Sequence, residues 1–172
     1  MTNHEGDIRI YVACLAAYNN GVLHGRWIDA ARDARDIHSD IQAMLKASPV
    51  PCAEEWAIHD YEGFNGVSIS EYEGVEDVSK LAAFLTDTGG LGAALLAYCS
   101  DLETAQTAME NFYAGEYSSV ADFAESLTEE ANEVPESLRH YIDYERMGRD
   151  MELDSIFSIE TGFEQVHIFW QH

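Results

Sequence analysis

Apolar and polar residues alternate at the start of the chain. Ile8, Ile10, Val12 and Cys14 fall on one side of an extended backbone and Tyr11, Ala13 and Leu15 on the other. Residues 8–17 therefore read as a strand with both faces partly covered. Asn20-Gly21 follows; it predicts a tight hairpin, whose central positions favour positive φ, and a returning strand over about 22–28. The period then lengthens. Ile37, Ile41, Met44 and Leu45 lie on one stripe of a helix over 33–46. The proline-bearing stretch 48–52 interrupts it. A third strand is expected over 54–61, with Trp56 and Ile58 on one face.

The middle of the chain reads as helical. Val78, Leu81, Ala82 and Leu85 predict a helix that ends at Gly89-Gly90, which can supply a left-handed cap. A short Ala/Leu-rich helix covers 91–99. Leu102, Ala105, Met109 and Phe112 mark another, stopped near Gly115. Ser119 and Asp122 resemble a capping box and open a helix with the stripe Val120, Phe123, Ala124 and Leu127. Pro135 suits a first helical turn, which predicts a last helix over 136–152. Ile156 and Phe157, then Val166, Ile168 and Trp170, read as a closing hairpin about residues 160–162. No internal repeat is visible. The pattern gives an α+β chain.

Charge changes this picture most. The 172 residues hold 32 Asp and Glu against nine Lys and Arg, a net charge of −23. Residues 1–53 are nearly neutral, with six acids (Glu5, Asp7, Asp29, Asp33, Asp36, Asp40) and five bases. Residues 54–172 carry 26 acids and four bases, Lys80, Arg139, Arg146 and Arg149. Disorder is the bland reading of an acidic chain. It fails because 47% of residues are hydrophobic and 11% aromatic, enough for a folded core. Halophilic adaptation would spread acid over every surface, which the near-neutral first 53 residues do not show. A folded surface this negative disfavours direct contact with DNA or an anionic membrane and favours a basic partner.

The acids recur at helical spacing. Asp122, Glu125, Glu129 and Glu133 are spaced +3, +4, +4 and predict one face of a helix, opposite its apolar stripe. Adjacent carboxylates on such a row stand roughly 5–6 Å apart, of the same order as the ~3.4 Å phosphate spacing along one DNA strand. Taken alone, such a row is more often a solvated helix face; its persistence is what matters. Glu54, Glu55, Asp60, Glu62, Glu71, Glu73, Glu76 and Asp77 begin the acidic region. Asp101, Glu103, Glu110 and Glu116 continue it, and Glu130, Glu136, Asp143, Glu145, Asp150, Glu152 and Asp154 extend it. These 23 carboxylates are the candidate target-binding groups.

Other chemistries find little support. No calcium loop, HExxH or Cys/His zinc spacing is present, so the histidines at 4, 24, 38, 59, 140, 167 and 172 read as surface or core residues. No GxSxG, phosphate-binding loop or dinucleotide glycine pattern occurs. No catalytic residue, metal or cofactor is expected. Cys14, Cys52 and Cys99 are an odd number without close pairing, which points to reduced thiols and a cytoplasmic protein. The N-terminus lacks an export signal, and no apolar stretch approaches the ~20 residues of a membrane span.

Three strings then become informative. YNNGVLHGRWID (18–29), HDYEGF (59–64) and YIDYERMGRDMEL (141–153) resemble, in order and spacing, the ArdA antirestriction proteins. Gly148 stands in the last string where a helix former is expected. The resemblance implies an elongated homodimer with three small domains per chain, here 1–62 (α+β, antiparallel sheet with helix), 63–103 (helical) and 104–172 (helices with a short antiparallel sheet). It also implies a non-enzymatic DNA mimic, carried by mobile elements. Its partner would be a Type I restriction–modification enzyme, the methyltransferase core with its DNA-specificity subunit. Restriction, and often modification, of incoming DNA would be blocked. Two other readings stay open: an acidic module that sequesters another basic DNA-binding protein, and a hydrolase with a carboxylate pair. Aromatic residues near the C-terminus, including Tyr141, Tyr144, Phe157, Phe163, Phe169 and Trp170, supply core and a candidate dimer interface.

Overall fold

Arg9–Cys14 form β1, the central strand of a three-stranded antiparallel sheet in the computed structural model, which describes residues 7–171. Glu5, His4 and His172 lie outside the described residues. Ile10, Val12 and Cys14 are fully buried, as the alternation predicts. The strand is shorter than expected, because Leu15–Asn19 wind into one helical turn, α1, that buries Ala17. Asn20-Gly21 caps this turn and is not the centre of a two-residue hairpin. Asn20 keeps a negative φ of −95°, and only Gly21, at +79°, is left-handed. The Val22 amide donates to the Ala17 carbonyl at 2.9 Å, in the manner of a glycine-capped helix end. Val22 and Leu23 are left exposed, and β2 begins only at Gly25, running Gly25–Asp29.

The helix α2, Ala34–Lys46, is capped by Asp33, whose carboxylate accepts from the Arg35 amide at 3.0 Å. Its buried residues are the expected Ile37, Ile41, Met44 and Leu45. Strand β3, Trp56–Glu62, pairs with the other edge of β1. The register slips between Tyr11 and Val12, so Tyr11 faces Asp60 and Val12 faces Ile58. The chain then turns at Gly63, beside the Asp7 carbonyl.

Contacts divide the chain into two compact units, one ending at Ala93 and the other starting at Ala94. The boundary lies within α3, Val75–Cys99. By length and composition this helix could cross a membrane, so the chain does hold one such stretch, contrary to expectation. Yet Gly89, with φ +59° and ψ −139°, breaks its helical geometry at the predicted stop. Each piece is then shorter than the ~20 residues a span requires, and Val78, Ala82, Phe84, Leu85 and Leu95 are buried.

In the second unit α4, Leu102–Thr107, widens into a π-helical turn, Ala108–Phe112. The sequence pattern predicts only a stop near Gly115 here. Instead Tyr113–Tyr117 form β4, which pairs with a later strand around a register shift at Gly115. Helix α5 spans Val120–Ala131. The single helix expected over 136–152 is two: α6, Glu136–Arg139, and α7, Tyr144–Asp154. The break has a local cause, since Asp143 caps α7 by accepting from the Arg146 amide at 3.0 Å. The closing hairpin, β5 (Ile156–Gly162) and β6 (Gln165–Trp170), is present, but it turns at Phe163-Glu164 and not at 160–162, with Glu164 at a φ of +54°, and the sheet order is β4-β6-β5.

Phe123, Ile156, Val166 and Ile168 form one buried cluster of this unit, with Tyr117, Val120, Leu127 and Met151 packed on it, and Leu95 and Phe169 are fully buried as well. Helix α7 lies so close to α5 that a Cβ on buried Gly148 would stand 2.9 Å from Val120 Cγ1 and 3.3 Å from the Val120 backbone. The missing side chain at 148 is thus a packing requirement of this helix pair. Among the described residues the fold is α+β, with two three-stranded antiparallel sheets and seven α-helices.

Candidate target-binding surface

Of the 23 candidate carboxylates, 21 are exposed, and Glu73 and Asp122 are half-buried. No charged or polar residue is buried among those described. In the first unit the candidates cluster around β3 and the start of α3. Glu54 and Glu55 precede β3, Asp60 and Glu62 lie on it, and Glu71 and Glu73 follow in the loop. Glu76 and Asp77 occupy the first turn of α3, where acids favour the helix dipole.

Some of these groups are already engaged. Glu62 Oε1 accepts from Arg9 Nε at 2.6 Å and from Arg9 Nη2. The same guanidinium lies 5.1 Å from the Trp27 ring centroid. The Asp60 carboxylate accepts from the Tyr61 amide at 2.8 Å. Glu71 Oε1 is 3.7 Å from His59 Nε2. Glu62 therefore offers a partly neutralised charge to a partner, whereas Glu54, Glu55 and Glu76 are simply exposed.

In the second unit several acids do structural work first. Asp101 caps α4, accepting from the Thr104 amide at 2.9 Å and the Thr104 hydroxyl at 2.6 Å. These hydrogen bonds hold its carboxyl below the usual aspartate range, so it stays charged in mildly acidic solution. Asp143 caps α7. The Asp122 carboxylate accepts from the Ser118 amide and hydroxyl at 3.3 and 3.2 Å, while the Asp122 amide donates to Ser119 Oγ at 3.0 Å. A carboxylate fixed by its own backbone presents its charge in one place.

The row on α5 is shorter than the spacing predicts. Asp122, Glu125, Glu129 and Glu130 lie on the helix, but Ala131 is its last residue, and Asn132 is extended. Glu133 therefore lies beyond it. Glu129 and Glu133 instead line one surface depression with Arg139 of α6. The Tyr144 phenol is pushed up by desolvation and by Glu125 and Glu129, and Arg139 opposes this. The acidic row of α5, the start of α7 and one arginine thus share a neighbourhood. Glu103 and Glu110 lie on α4 and its π turn, Glu116 on β4, Glu136 on α6, and Glu145, Asp150, Glu152 and Asp154 on α7. Asp87, Glu160 and Glu164 are exposed as well and fall outside the sequence-based set. They sit in apolar or strand-like stretches, so their only signal is their charge. No group of three or more His, Cys, Asp or Glu is placed to hold a metal among the described residues.

Because α5 carries four acids and no base, its cap should matter. Ser119→Ala removes the acceptor for the Asp122 amide and is expected to destabilise the protein by about 1 kcal/mol. Urea denaturation followed by circular dichroism measures this, and an unchanged midpoint would show that the cap contributes nothing.

The comparisons with known proteins bear on this surface as a whole. No curated protein matches the chain. The family model described as Antirestriction protein (ArdA) matches residues 10–165. This span holds all three resembling strings, all of the first sheet but Arg9, the second sheet up to the start of β6, and every candidate carboxylate. With a match this long, the chain belongs to the ArdA antirestriction protein family.

Proposed function

We propose that this chain is a DNA mimic that occupies the DNA-binding groove of a Type I restriction–modification enzyme. It would bind the methyltransferase core with its DNA-specificity subunit and so block restriction, and often modification, of incoming DNA. The observation that carries the reading is the exposure of 21 of 23 candidate carboxylates across both units. A DNA-binding groove is lined with Lys and Arg that neutralise phosphates. Carboxylates held on helices and strands can meet the same cations without being a substrate. Because phosphate contacts carry no sequence information, one such surface suits enzymes with different target sequences.

On this reading the protein acts by binding alone, as an inhibitor without catalytic residues or cofactor, in the cytoplasm where its target works. We also propose a homodimer. Tyr141, Leu153 and Phe163 are 85%, 82% and 89% exposed in the single chain, and burying such residues favours association. Two chains would carry about 46 net negative charges, equivalent at DNA density to roughly 80 Å of duplex. The layout in three small domains belongs to the same proposal, with α3 filling most of the stretch 63–103.

The test is competition. The protein is expected to capture a purified methyltransferase core, and an unrelated DNA duplex is expected to displace it. Simultaneous binding of duplex and protein would overturn the mimicry. Failure to bind any such core, with capture of a different basic DNA-binding protein, would replace the target.

A further inference from the structure

One groove in the second unit brings aromatic rings and carboxylates together. It encloses about 490 Å³ and is walled by Tyr98, Phe157 and Trp170, with Asp101 and Glu103 also lining it. No Lys, Arg or His lines it among the described residues. The Tyr98 and Phe157 rings stack with centroids 4.4 Å apart and planes 11° from parallel. Phe157 stacks in turn on Phe169, at 5.1 Å and 7°. Phe169 is fully buried, while Tyr98 is 57% exposed and Trp170 37% exposed. The outermost ring of a stack anchored in the core is thus offered to solvent. Gln171 steadies the chain beside Trp170, its side-chain amide donating to the Ile156 carbonyl at 2.7 Å.

We infer that this groove docks an arginine side chain of the basic target. A guanidinium is planar, stacks on aromatic faces and is weakly hydrated. The ring faces attract it through their quadrupoles, and the carboxylates of Asp101 and Glu103 supply opposite charge. Lysine fits less well, being a compact and strongly hydrated point charge. A second copy of this chain is a poor occupant, since Tyr141, Leu153 and Phe163, the exposed residues proposed for the dimer face, do not line this groove. The Cys99 thiol also lines the groove. Burial and Asp101 push its pKa up, so it stays neutral and the charge of the groove comes from its carboxylates. The inference rests on the target being a basic protein and adds a second kind of contact to the carboxylate array, one that grips the flat face of a cation as well as its charge.

Nuclear magnetic resonance titration of the whole protein with N-acetyl-arginine methylamide tests the groove without the target. Saturable shifts are expected at Tyr98 and the Trp170 indole. The neutral isostere, the citrulline analogue, should bind about tenfold more weakly, the scale of a partly desolvated cation–π contact. Tyr98→Leu keeps apolar bulk and should abolish the shifts. The pair Asp101→Asn and Glu103→Gln should weaken binding about tenfold while the fold survives, because Asn caps helices as well as Asp. Equal binding of arginine and citrulline analogues, or no saturable shift, would overturn the inference. If the probe fails while the methyltransferase core still binds and competes with DNA, the groove inference falls and the mimicry stands. If the probe binds and the core does not, the target reading falls instead.

Discussion

Affinity for the methyltransferase core is expected to fall about a hundredfold as salt rises from roughly 50 to 200 mM. A DNA duplex in the same groove is expected to lose more, about 10³–10⁵-fold for six to ten phosphate contacts. The difference follows from charge density. Duplex DNA carries one charge per ~1.7 Å of axis and a condensed layer of counterions, whose release on binding produces the steep slope. The acids of α5 at 122, 125 and 129 repeat every three or four residues, which sets them roughly 5–6 Å apart. Fewer counterions condense on so sparse a row, and fewer are released. On the proposed reading the protein would therefore gain on DNA as salt rises.

Neutralising Asp122, Glu125, Glu129 and Glu133 together by amide substitution should flatten the slope further. Any single change, such as Glu129→Gln, should be small because exposed charges contribute little individually. Fluorescence anisotropy of labelled protein against the core at several salt concentrations gives both slopes. A flat response would remove electrostatics as the driving force. A slope as steep as that of the duplex would show that counterion density on the mimic matches DNA, against the spacing on α5.

Much of the fold is legible in the sequence because each element carries its own period. The stripe of α2 is buried residue for residue at Ile37, Ile41, Met44 and Leu45, the Ser119 cap forms as read, and the closing hairpin forms with its turn displaced from 160–162 to Phe163-Glu164. The misses are places where a short polar signal has two physical meanings. Asn20-Gly21 can centre a hairpin or cap a helical turn, and the buried Ala17 selects the second. Asp143 reads as one more surface acid, yet its hydrogen bond with the Arg146 amide starts a new helix. Strand β4 has only five residues, Tyr113–Tyr117, and its pairing with β6 is a long-range fact that no local pattern announces. The charge of the surface is fully legible. Its division into acids that cap or pair, such as Asp101 and Glu62, and acids that only face solvent requires the structure.

Gly63→Ala is expected to destabilise the protein by about 2–4 kcal/mol. Gly63 follows β3 directly, with φ at +83°. An L-residue held in the left-handed region costs about 1–2 kcal/mol. A Cβ at this site would also stand 2.3 Å from the Asp7 carbonyl oxygen and 2.9 Å from Ile8 Cα. Both are backbone atoms, so no rotamer change relieves the clash, and overpacking of this kind costs about 1–3 kcal/mol. Relief would require the end of β3 to move off β1 where Arg9 pairs with Glu62. The smaller conformational freedom of Ala in the unfolded chain offsets only about 0.4–1 kcal/mol. Gly66 supplies the control. Its φ is +86°, and nothing lies within 4 Å of the position an added Cβ would take. Gly66→Ala therefore carries the strain without the clash, and urea denaturation should separate the two variants by about 1–3 kcal/mol. Equal losses would mean that the close passage against Asp7 relaxes freely, and the edge of this sheet, with the acids at 60 and 62 on it, would be less firmly placed than its geometry implies.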